Sequence, residues 1–342
     1  MMMTRTFSRL LTATAVLLAL TPGITAAQSA PPVARAGVDR PQGDKRYAWV
    51  TLGTQGGPMP SLTRSEPANL LVRGGAAHLI DAGDNAMTRA IGAGATFQTL
   101  QTIWLSHLHF DHIGGMFGVL GLRNQTRTVR PLTIYGPPGT RQLVEGLFAA
   151  MTPSAEAGFG IPGESEVLPS TGITIIELNG GENIKVGDMT VRAVRNSHYS
   201  FPAGSDMDRR FASLSYRFDL PDRSIVYTGD TGPSAAVERL ANGADLLVSE
   251  MIDLKTTRDR ISGRAGITDP RTLQQMVEHL TTHHLTTQQV GELAAKAGVK
   301  RVVLTHFAGG TSADPNGPGG YAEQVKQTFK GPVVVAADMD RF

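Results

Sequence analysis

The turn SHLHFDHIGG at residues 106–115 constrains this chain more than any other feature of its sequence. It follows the largely apolar run Leu100–Leu105, which is typical of a buried strand. Residues i and i+2 of an extended segment share a face, so the first two histidines of the turn converge. A strand that ends here, before a helix that opens near the aspartate, presents four polar side chains around one point. They are His107, His109, Asp111 and His112.

These four side chains have the chemistry of metal ligands. Three of the nine histidines of the chain and one carboxylate fall within six positions, which ordinary polar loop residues rarely do. Imidazole nitrogen and carboxylate oxygen suit zinc and also accept manganese or iron. The chain has no cysteine, so thiolate ligands, disulfides and a cysteine nucleophile are all excluded. The sequence therefore predicts a metal site built from His, Asp or Glu.

Short apolar runs alternate with helical patterns along most of the remaining chain. A continuous helix is predicted over Ile113–Leu122 after the histidine-rich turn, and the middle of the chain is rich in β-branched residues with turn signals at Gly180-Gly181. Alternating strands and helices return later, where Thr286 and Gln289 fit a capping box. Mixed strands with helices on the outside predict a layered α/β domain.

The first 27 residues have the layout of a secretory signal peptide. Arg5 and Arg9 precede the apolar stretch Leu10–Leu20, and small residues follow up to Ala27. We expect cleavage near Ala27, a flexible leader over residues 28–44, one hydrolase domain over residues 45–342, and a periplasmic or secreted location without stable membrane insertion. An uncleaved membrane anchor is the rival interpretation, although the apolar stretch is short for a span.

The balance of charge bears on the class of partner. The chain has 32 basic and 30 acidic residues, and the first 27 residues hold two arginines and no acid, so the remainder carries 30 of each. A broad nucleic-acid footprint usually shows as a basic excess, which this balance lacks. A local basic patch is still compatible with neutrality. The sequence also leaves a homodimer open.

The turn carries a family resemblance. His107-Leu108-His109-Phe110-Asp111-His112 matches the HxHxDH signature of the metallo-β-lactamase superfamily. The surroundings resemble its ribonuclease Z and arylsulfatase-like branch, namely LIDAG at residues 79–83 and IYGPPGT at residues 134–140. The resemblance runs from about Val50 to the C-terminus. It implies a four-layered αβ/βα sandwich of two mixed β-sheets with helices on the outer faces.

The superfamily pattern requires three more ligands, and each of the candidates follows or ends a predicted strand: His198, Asp230 and His306. By resemblance, His107, His109 and His198 hold one metal ion. Asp111, His112 and His306 hold the second, and Asp230 bridges both. The resemblance implies two Zn²⁺ ions, with Mn²⁺ or Fe as alternatives, and a bridging hydroxide as the nucleophile. Asp111 then counts as a catalytic residue as well as a ligand.

The ribonuclease Z branch also carries a histidine that protonates the leaving group and a glutamate at an earlier strand end. His284, in the sequence His-Leu-Thr, and Glu250, in Leu-Val-Ser-Glu, are the matches. His283 competes with His284 for this role, and both could be surface residues of a helix–helix turn. His78 and His279 lack any such context and are expected to be structural or exposed.

The substrate is the least constrained part. The ribonuclease Z family clamps tRNA with a basic arm, whereas the corresponding segment Met151–Ser170 has three glutamates and no Lys or Arg. We therefore expect no nucleic-acid partner and disfavour tRNA 3′ processing. Aromatic and cationic residues at 199–202 and 208–211 suit a small-molecule pocket.

Three functional hypotheses remain. The leading one is hydrolysis of small-molecule esters, most of all phosphodiesters or aryl sulfates, because the His284/Glu250 pair suits a poor leaving group. A lactone or β-lactam hydrolase is the second hypothesis. A non-enzymatic metal-binding protein is the third, and the complete ligand set argues against it.

Overall fold

The computed structural model describes residues 47–57, 59–263, 269–308, 315–317 and 320–342. The predicted signal peptide and most of the sequence up to the domain lie outside these residues, so the predictions for residues 1–27 and 28–44 stay predictions. In the part of the chain that is described, no helix combines the length and apolar character needed to cross a bilayer.

The first sheet is built almost entirely from the first half of the domain. Its strands are β1 (Tyr47–Gly53), β2 (Ala68–Arg73), β3 (Ala76–Ala82), β4 (Leu100–Trp104), β5 (Leu132–Gly136), β6 (Ile173–Glu177) and, from the end of the chain, β14 (Asp340–Arg341). They are ordered β14-β1-β2-β3-β4-β5-β6, antiparallel as far as β3 and parallel from β3 to β6. The intervening helices are α1 (Ala86–Gly92), α2 (Phe110–Ile113), α3 (Met116–Gln125) and α4 (Thr140–Ala157).

The second sheet repeats this arrangement with the second half. Its strands are β7 (Asn183–Val186), β8 (Met189–Arg195), β9 (Leu214–Asp219), β10 (Ser224–Tyr227), β11 (Leu246–Ile252), β12 (Val302–Ala308) and β13 (Val333–Val335). The order is β13-β12-β11-β10-β9-β8-β7, parallel from β13 to β10 and antiparallel beyond. The helices are α5 (Asp206–Arg210), α6 (Ala235–Ala241), α7 (Leu254–Gly263), α8 (Pro270–Thr282), α9 (Thr287–Ala297) and α10 (Tyr321–Lys326).

Aromatic side chains join the two sheets face to face. Trp49 of β1 and Trp104 of β4 both approach Phe218 of β9, with ring centroids 5.8 and 5.9 Å apart. On the outer faces, apolar residues of α1, α3 and α4 pack on the first sheet, and those of α6, α9 and α10 on the second. The central strands of each sheet thus bury both faces, which accounts for their near-continuous apolar sequences. The predicted four-layered sandwich is confirmed.

The helix predicted over Ile113–Leu122 is present but is interrupted near its start. α2 ends at Ile113 and α3 begins at Met116, with Gly114-Gly115 between them. A Cβ on Gly115 would lie 2.2 Å from the carbonyl oxygen of Gly83, so the backbone passes too close to the end of β3 for any other residue. The break orients the short helix that carries Asp111 and His112.

The predicted capping box at the start of α9 is confirmed. The Thr286 side chain accepts from the backbone N–H of Gln289, and the Gln289 side chain accepts from the N–H of Thr286. The helix ends before Gly298, which has a φ of 62°. This cap fixes the segment that immediately follows His284.

Candidate metal centre

The structure brings all seven predicted ligands together at one edge of the sandwich. Four come from the segment after β4, including the short helix α2. Of the other three, one follows β8, one follows β10, and His306, which was predicted to end a strand, lies within β12 with a φ of 50°. The seven are His107, His109, Asp111, His112, His198, Asp230 and His306. Neither sheet alone supplies a complete set.

The first group of ligand atoms is formed by three histidines. His109 Nδ1 lies 3.0 Å from His107 Nε2 and 3.1 Å from His198 Nε2. Asp230 Oδ2 lies 3.9 Å from the Nε2 atoms of His107 and His198. Three imidazole nitrogens and one carboxylate oxygen around a common point form a donor set suited to zinc.

The second group uses the other carboxylate oxygen of Asp230. Its Oδ1 lies 3.3 Å from His112 Nε2 and 3.1 Å from His306 Nε2. Asp111 Oδ2 lies 3.4 and 3.5 Å from the same two nitrogens. Asp230 therefore directs one oxygen to each group, which is the placement that a bridging carboxylate needs.

Buried polar atoms without partners test whether a cation fits. Among the described residues, His112 Nε2, Asp230 Oδ1 and His306 Nε2 are buried and have no hydrogen-bond partner. Buried polar atoms are nearly always paired, and a cation would pair all three at once. The donor set thus fits a metal-binding site. The number of ions, their identity and the ligand role of each residue stay predictions.

Asp81, at the end of β3, is the hub beneath the cluster. Its Oδ2 accepts hydrogen bonds from His112 Nδ1 at 2.8 Å, from the Ser106 hydroxyl at 2.8 Å and from the Tyr227 hydroxyl at 2.7 Å. The Ser106 oxygen lies 3.0 Å from His107 Nδ1 and can accept its proton. These bonds place the protons on Nδ1 and leave both Nε2 lone pairs for a metal.

Asp81 was not predicted as a functional residue. The sequence placed it only inside the family-like LIDAG segment, whose structural role requires the fold to be known. It is buried and has a φ of 55°, a left-handed conformation that turns the end of β3 beneath the histidines.

Backbone carbonyls orient His198. Its Nδ1 donates to the carbonyl oxygen of His283 at 3.2 Å, so its Nε2 faces the first ligand group. Its backbone N–H donates to Asn196 Oδ1 at 3.2 Å, and Asn196 Nδ2 donates to the carbonyl of Thr228. His283 thus contacts the cluster through its main chain, while its ring faces the carbonyl of Ser197.

His284 lies beside the cluster with Glu250. Its Nδ1 is 2.8 Å from Glu250 Oε2, and Glu250 Oε1 accepts from the backbone N–H of Thr231 at 2.8 Å. Both side chains are buried, and the His284 ring lies 4.9 Å from that of His198. Burial opposes a charge on His284, but the Glu250 carboxylate raises its pKa above the ordinary value. Of the two candidates, His284 has its ring at the cluster beside Glu250, and its role as the proton donor stays a prediction.

The two ligand groups differ electrostatically. Burial lowers the pKa of His107 and His198 well below its ordinary value, so both are neutral. At the second group burial also opposes charge, yet the carboxylates, above all Asp230, raise the pKa of His306 to about 10 and that of His112 well above its usual range. The second group therefore concentrates negative potential, which protons or a divalent cation can neutralise.

His279 was expected to be structural or exposed, yet it lies at the edge of the site. Its ring is half-buried on α8, 5.3 Å from that of His198 and 5.9 Å from that of His284. Burial and the neighbouring imidazoles lower its pKa to about 4. No motif marks this residue, because only the packing of α8 brings it here. His78 is structural as expected, buried between strands of the first sheet.

Comparisons with known proteins agree with this geometry. Residues 78–307 match the family model described as the beta-lactamase superfamily domain. Ribonuclease Z from Mycobacterium avium is 30% identical over 261 residues, which cover 75% of this chain and 85% of that protein. Among solved structures, the metallo-β-lactamase fold protein YhfI from Bacillus subtilis aligns with a TM-score of 0.62 and 19% identity over 86% of this chain and 98% of its own. The short form of human tRNase Z aligns with a TM-score of 0.57 and 21% identity, over 86% of this chain and 98% of its own.

The comparisons correct two predictions. A small-molecule ester as the substrate and the absence of a nucleic-acid partner are both wrong, because relatives across most of the chain are ribonucleases and a tRNase Z shares the fold.

The physical reason for this error is that net charge says nothing about where charge lies. The acidic residues of segment 151–170 were also misleading, since Glu164 forms an ion pair with Arg127 and so does not act as a free negative charge. The fold, the clustered His and Asp side chains and the sequence similarity together identify a metal-dependent hydrolase of the metallo-β-lactamase superfamily. Within that superfamily, the chain belongs to the ribonuclease Z branch.

Proposed function

We propose that this protein hydrolyses a phosphodiester bond in RNA, with a tRNA precursor as its leading substrate and two zinc ions as its cofactors. The observation that carries the proposal is the buried His284–Glu250 pair, which lies next to two ligand groups that share Asp230. The ribonuclease Z relative and the human tRNase Z structure support RNA as the substrate class.

The cluster offers one place for metal chemistry. When bound, divalent cations supply Lewis acidity, which makes water easier to deprotonate and stabilises negative charge on a phosphate. His107, His109 and His198 would hold one cation, and Asp111, His112 and His306 the other, with Asp230 shared. Asp81, Ser106 and the His283 carbonyl keep three of these histidines in the tautomer that binds a metal.

His284 supplies the second element of the chemistry. An alkoxide is a poor leaving group, so a proton delivered to the departing ribose oxygen lowers the barrier. The raised pKa of His284 favours the protonated ring near neutral pH, and Glu250 holds Nδ1 so that Nε2 can face the substrate. The backbone N–H of Thr231 in turn fixes Glu250.

The direct test is cleavage of a tRNA precursor that carries a 3′ trailer by the zinc-loaded protein. We expect endonucleolytic cut products, mapped by their ends, and loss of both metal and cleavage in Asp230→Asn. Asp188→Asn, which changes an exposed carboxyl group in the β7–β8 turn, is the matched control and should cleave normally. Intact precursor after incubation with fully metal-loaded protein would contradict the proposal.

We further propose that the chain is exported, on the strength of the signal-like residues 1–27. Cell fractionation followed by N-terminal sequencing tests this proposal. The expected mature chain begins at Gln28 and is found outside the cytoplasm. A cytoplasmic chain that retains residues 1–27 would contradict export and would agree with a tRNA precursor as the substrate. An exported chain would leave RNA hydrolysis as the proposed chemistry, with the tRNA precursor as an assay substrate only.

A further inference from the structure

A groove of about 400 Å³ opens at the N-terminal end of α4, next to the metal-binding turn. We call it the Phe211 groove and define it by Arg141, Gln142, Glu145, Glu177, Arg210 and Phe211. We propose that the Phe211 groove binds a nucleotide of single-stranded RNA, with its base stacked on Phe211 and its phosphate contacted by Arg141 and Arg210. This inference rests on the proposed function and names the part of the substrate that the metal cluster does not hold.

The groove adjoins the metal-binding turn through Leu108, which lies between two predicted ligands. A Cβ built on Gly139, at the start of α4, would lie 3.0 Å from Leu108 Cδ1 and 3.6 Å from Phe211 Cε1. Gly139 has a φ of 97°, so the backbone takes a conformation that brings α4 close to both side chains. A strand of RNA that reaches the metal cluster past Leu108 therefore meets Phe211.

A series of aromatic rings connects the same two places. The Tyr199 ring lies 5.4 Å from that of His109, Phe201 lies 5.1 Å from Tyr199, and Phe211 lies 6.3 Å from Phe201. All three of these aromatic side chains are only half-buried. Bases of single-stranded nucleic acids stack on such rings without strong sequence preference, because every base has a π-face.

The two arginines give the groove its charge. Their side chains are 53% and 57% exposed, and their ion pairs, Arg141 with Glu145 at 3.6 Å and Arg210 with Asp206 at 3.8 Å, are long and solvent-exposed. Such pairs contribute little stability, so a phosphate can compete for both guanidinium groups. Arg141 also donates to the carbonyl of Ile175 at 2.7 Å, which fixes its direction.

Glu177 does not cancel this positive charge. Its Oε1 accepts hydrogen bonds from the backbone N–H groups of Gly139 at 2.8 Å and Arg141 at 2.9 Å. The carboxylate thus caps the positive end of the α4 dipole. Glu177 is engaged there and Glu145 pairs with Arg141. The Phe211 groove thus presents an aromatic ring with the Arg210 guanidinium over one face, 5.2 Å from the ring centroid, and this combination of ring and cation suits single-stranded nucleic acids.

The test measures binding of a short fluorescent single-stranded oligoribonucleotide by anisotropy, using the zinc-loaded protein in a His284→Gln background that slows cleavage. We expect Phe211→Ala to weaken binding about 5- to 100-fold, and Phe211→Tyr to keep it. Ile91→Ala, which removes an exposed apolar side chain from α1, is the control and should bind like the parent. Arg141→Ala and Arg210→Ala should each lower the salt dependence of binding by about one ion.

Hydrolysis of bis(4-nitrophenyl) phosphate in the wild-type background reports whether each groove variant keeps an intact centre. If Phe211→Ala fails to fold, the oligonucleotide affinity of the doubly substituted Arg141→Ser/Arg210→Ser protein tests the groove in its place. Equal affinity in the parent and the groove variants would overturn the inference, and so would a parent that binds no oligonucleotide. A parent that binds RNA through Phe211 but never cleaves it supports the groove and contradicts the proposed function.

Discussion

Asp81 links three parts of the molecule through one buried carboxylate. It receives hydrogen bonds from the turn after β4, from the imidazole of His112 and from Tyr227 of the second sheet. A carboxylate behind a metal-binding imidazole fixes the ring and increases its basicity. Asp81 therefore orients His112, a predicted metal ligand, although Asp81 is not itself a predicted ligand.

Asp81→Asn should weaken zinc binding about 10- to 100-fold, because the amide keeps the shape but not the charge behind His112. Competition with a chromophoric chelator measures this affinity directly. Asp188→Asn, an exposed carboxyl group in the β7–β8 turn, serves as the control and should bind zinc as the wild type does. An unchanged zinc affinity in Asp81→Asn would show that Asp81 serves packing alone.

His284→Gln should retain both metal ions while cleavage falls about 10²–10⁴-fold, since the proton donor is lost and the predicted ligands are untouched. A series of phosphodiesters with leaving groups of increasing pKa checks the reason: the rate should fall most for the poorest leaving groups. An equal loss across the series would contradict the acid role. Metal analysis of the same preparation separates this outcome from loss of ligand geometry.

Single residues differ in how far the sequence reveals them. The clustering of the predicted ligands could be anticipated because most of them follow a strand, a position that apolar runs make visible. Asp81 and His279 could not, since their roles depend on which strand end or helix face packs against the cluster. The substrate was predicted wrongly for a related reason, because total charge cannot show that two arginines lie beside one half-buried ring.

At the scale of elements, the long apolar strands were predictable and the short polar pieces were not. α5 contains four charged residues among five and has the composition of a loop, although Ser205 caps it through the N–H of Asp208. β14 has two residues and pairs with β1 across almost the whole domain, so no local pattern marks it. Tertiary pairing creates such elements.

Strands β3 and β4 bury a titratable histidine, His78, against a threonine in the first sheet. His78 and Thr102 are register partners, with His78 Nδ1 2.8 Å from Thr102 Oγ1. Trp104 Nε1 donates to the same oxygen at 2.7 Å, which leaves the threonine hydroxyl a proton and a second lone pair for its contact with His78. Burial lowers the pKa of His78 to about 4, which keeps the ring neutral.

This pair predicts a pH dependence of stability. Between pH 6.5 and about 4 the unfolded chain binds a proton at His78 that the folded chain excludes, so stability is lost as the pH falls through that window. Relative to His78→Asn, whose amide oxygen can accept from Thr102 without titrating, the wild type should lose up to about 3 kcal/mol. Urea unfolding of both proteins at several pH values measures the difference. If the free energy of unfolding changed with pH in the same way in both proteins, the lowered pKa of His78 would be contradicted.

At the scale of the whole molecule, the metal centre joins the two sheets. Four predicted ligands belong to the first half of the domain and three to the second, so bound cations add links that packing alone does not provide. Removal of metal leaves buried nitrogen and oxygen atoms unpaired, which opposes closure of the sandwich.

Chelation should therefore lower the melting temperature by at least about 5 °C, and zinc should restore it. Calorimetry of metal-free and reloaded protein, with metal content verified in each sample, checks this expectation. Hydrogen exchange should rise at the ends of β4, β8 and β10 together. An unchanged melting temperature after verified metal loss would show that bound metal does not stabilise the packing of the two sheets.

The division of the domain into two similar sheets has a consequence for how activity can be lost. Each half contributes an incomplete set of predicted metal ligands to the edge where the sheets meet, and neither half alone could form the centre. Activity therefore requires both halves to be correctly packed. A backbone cleavage, a mutation or a ligand that slightly separates the two sheets should abolish activity under conditions in which the protein is still folded.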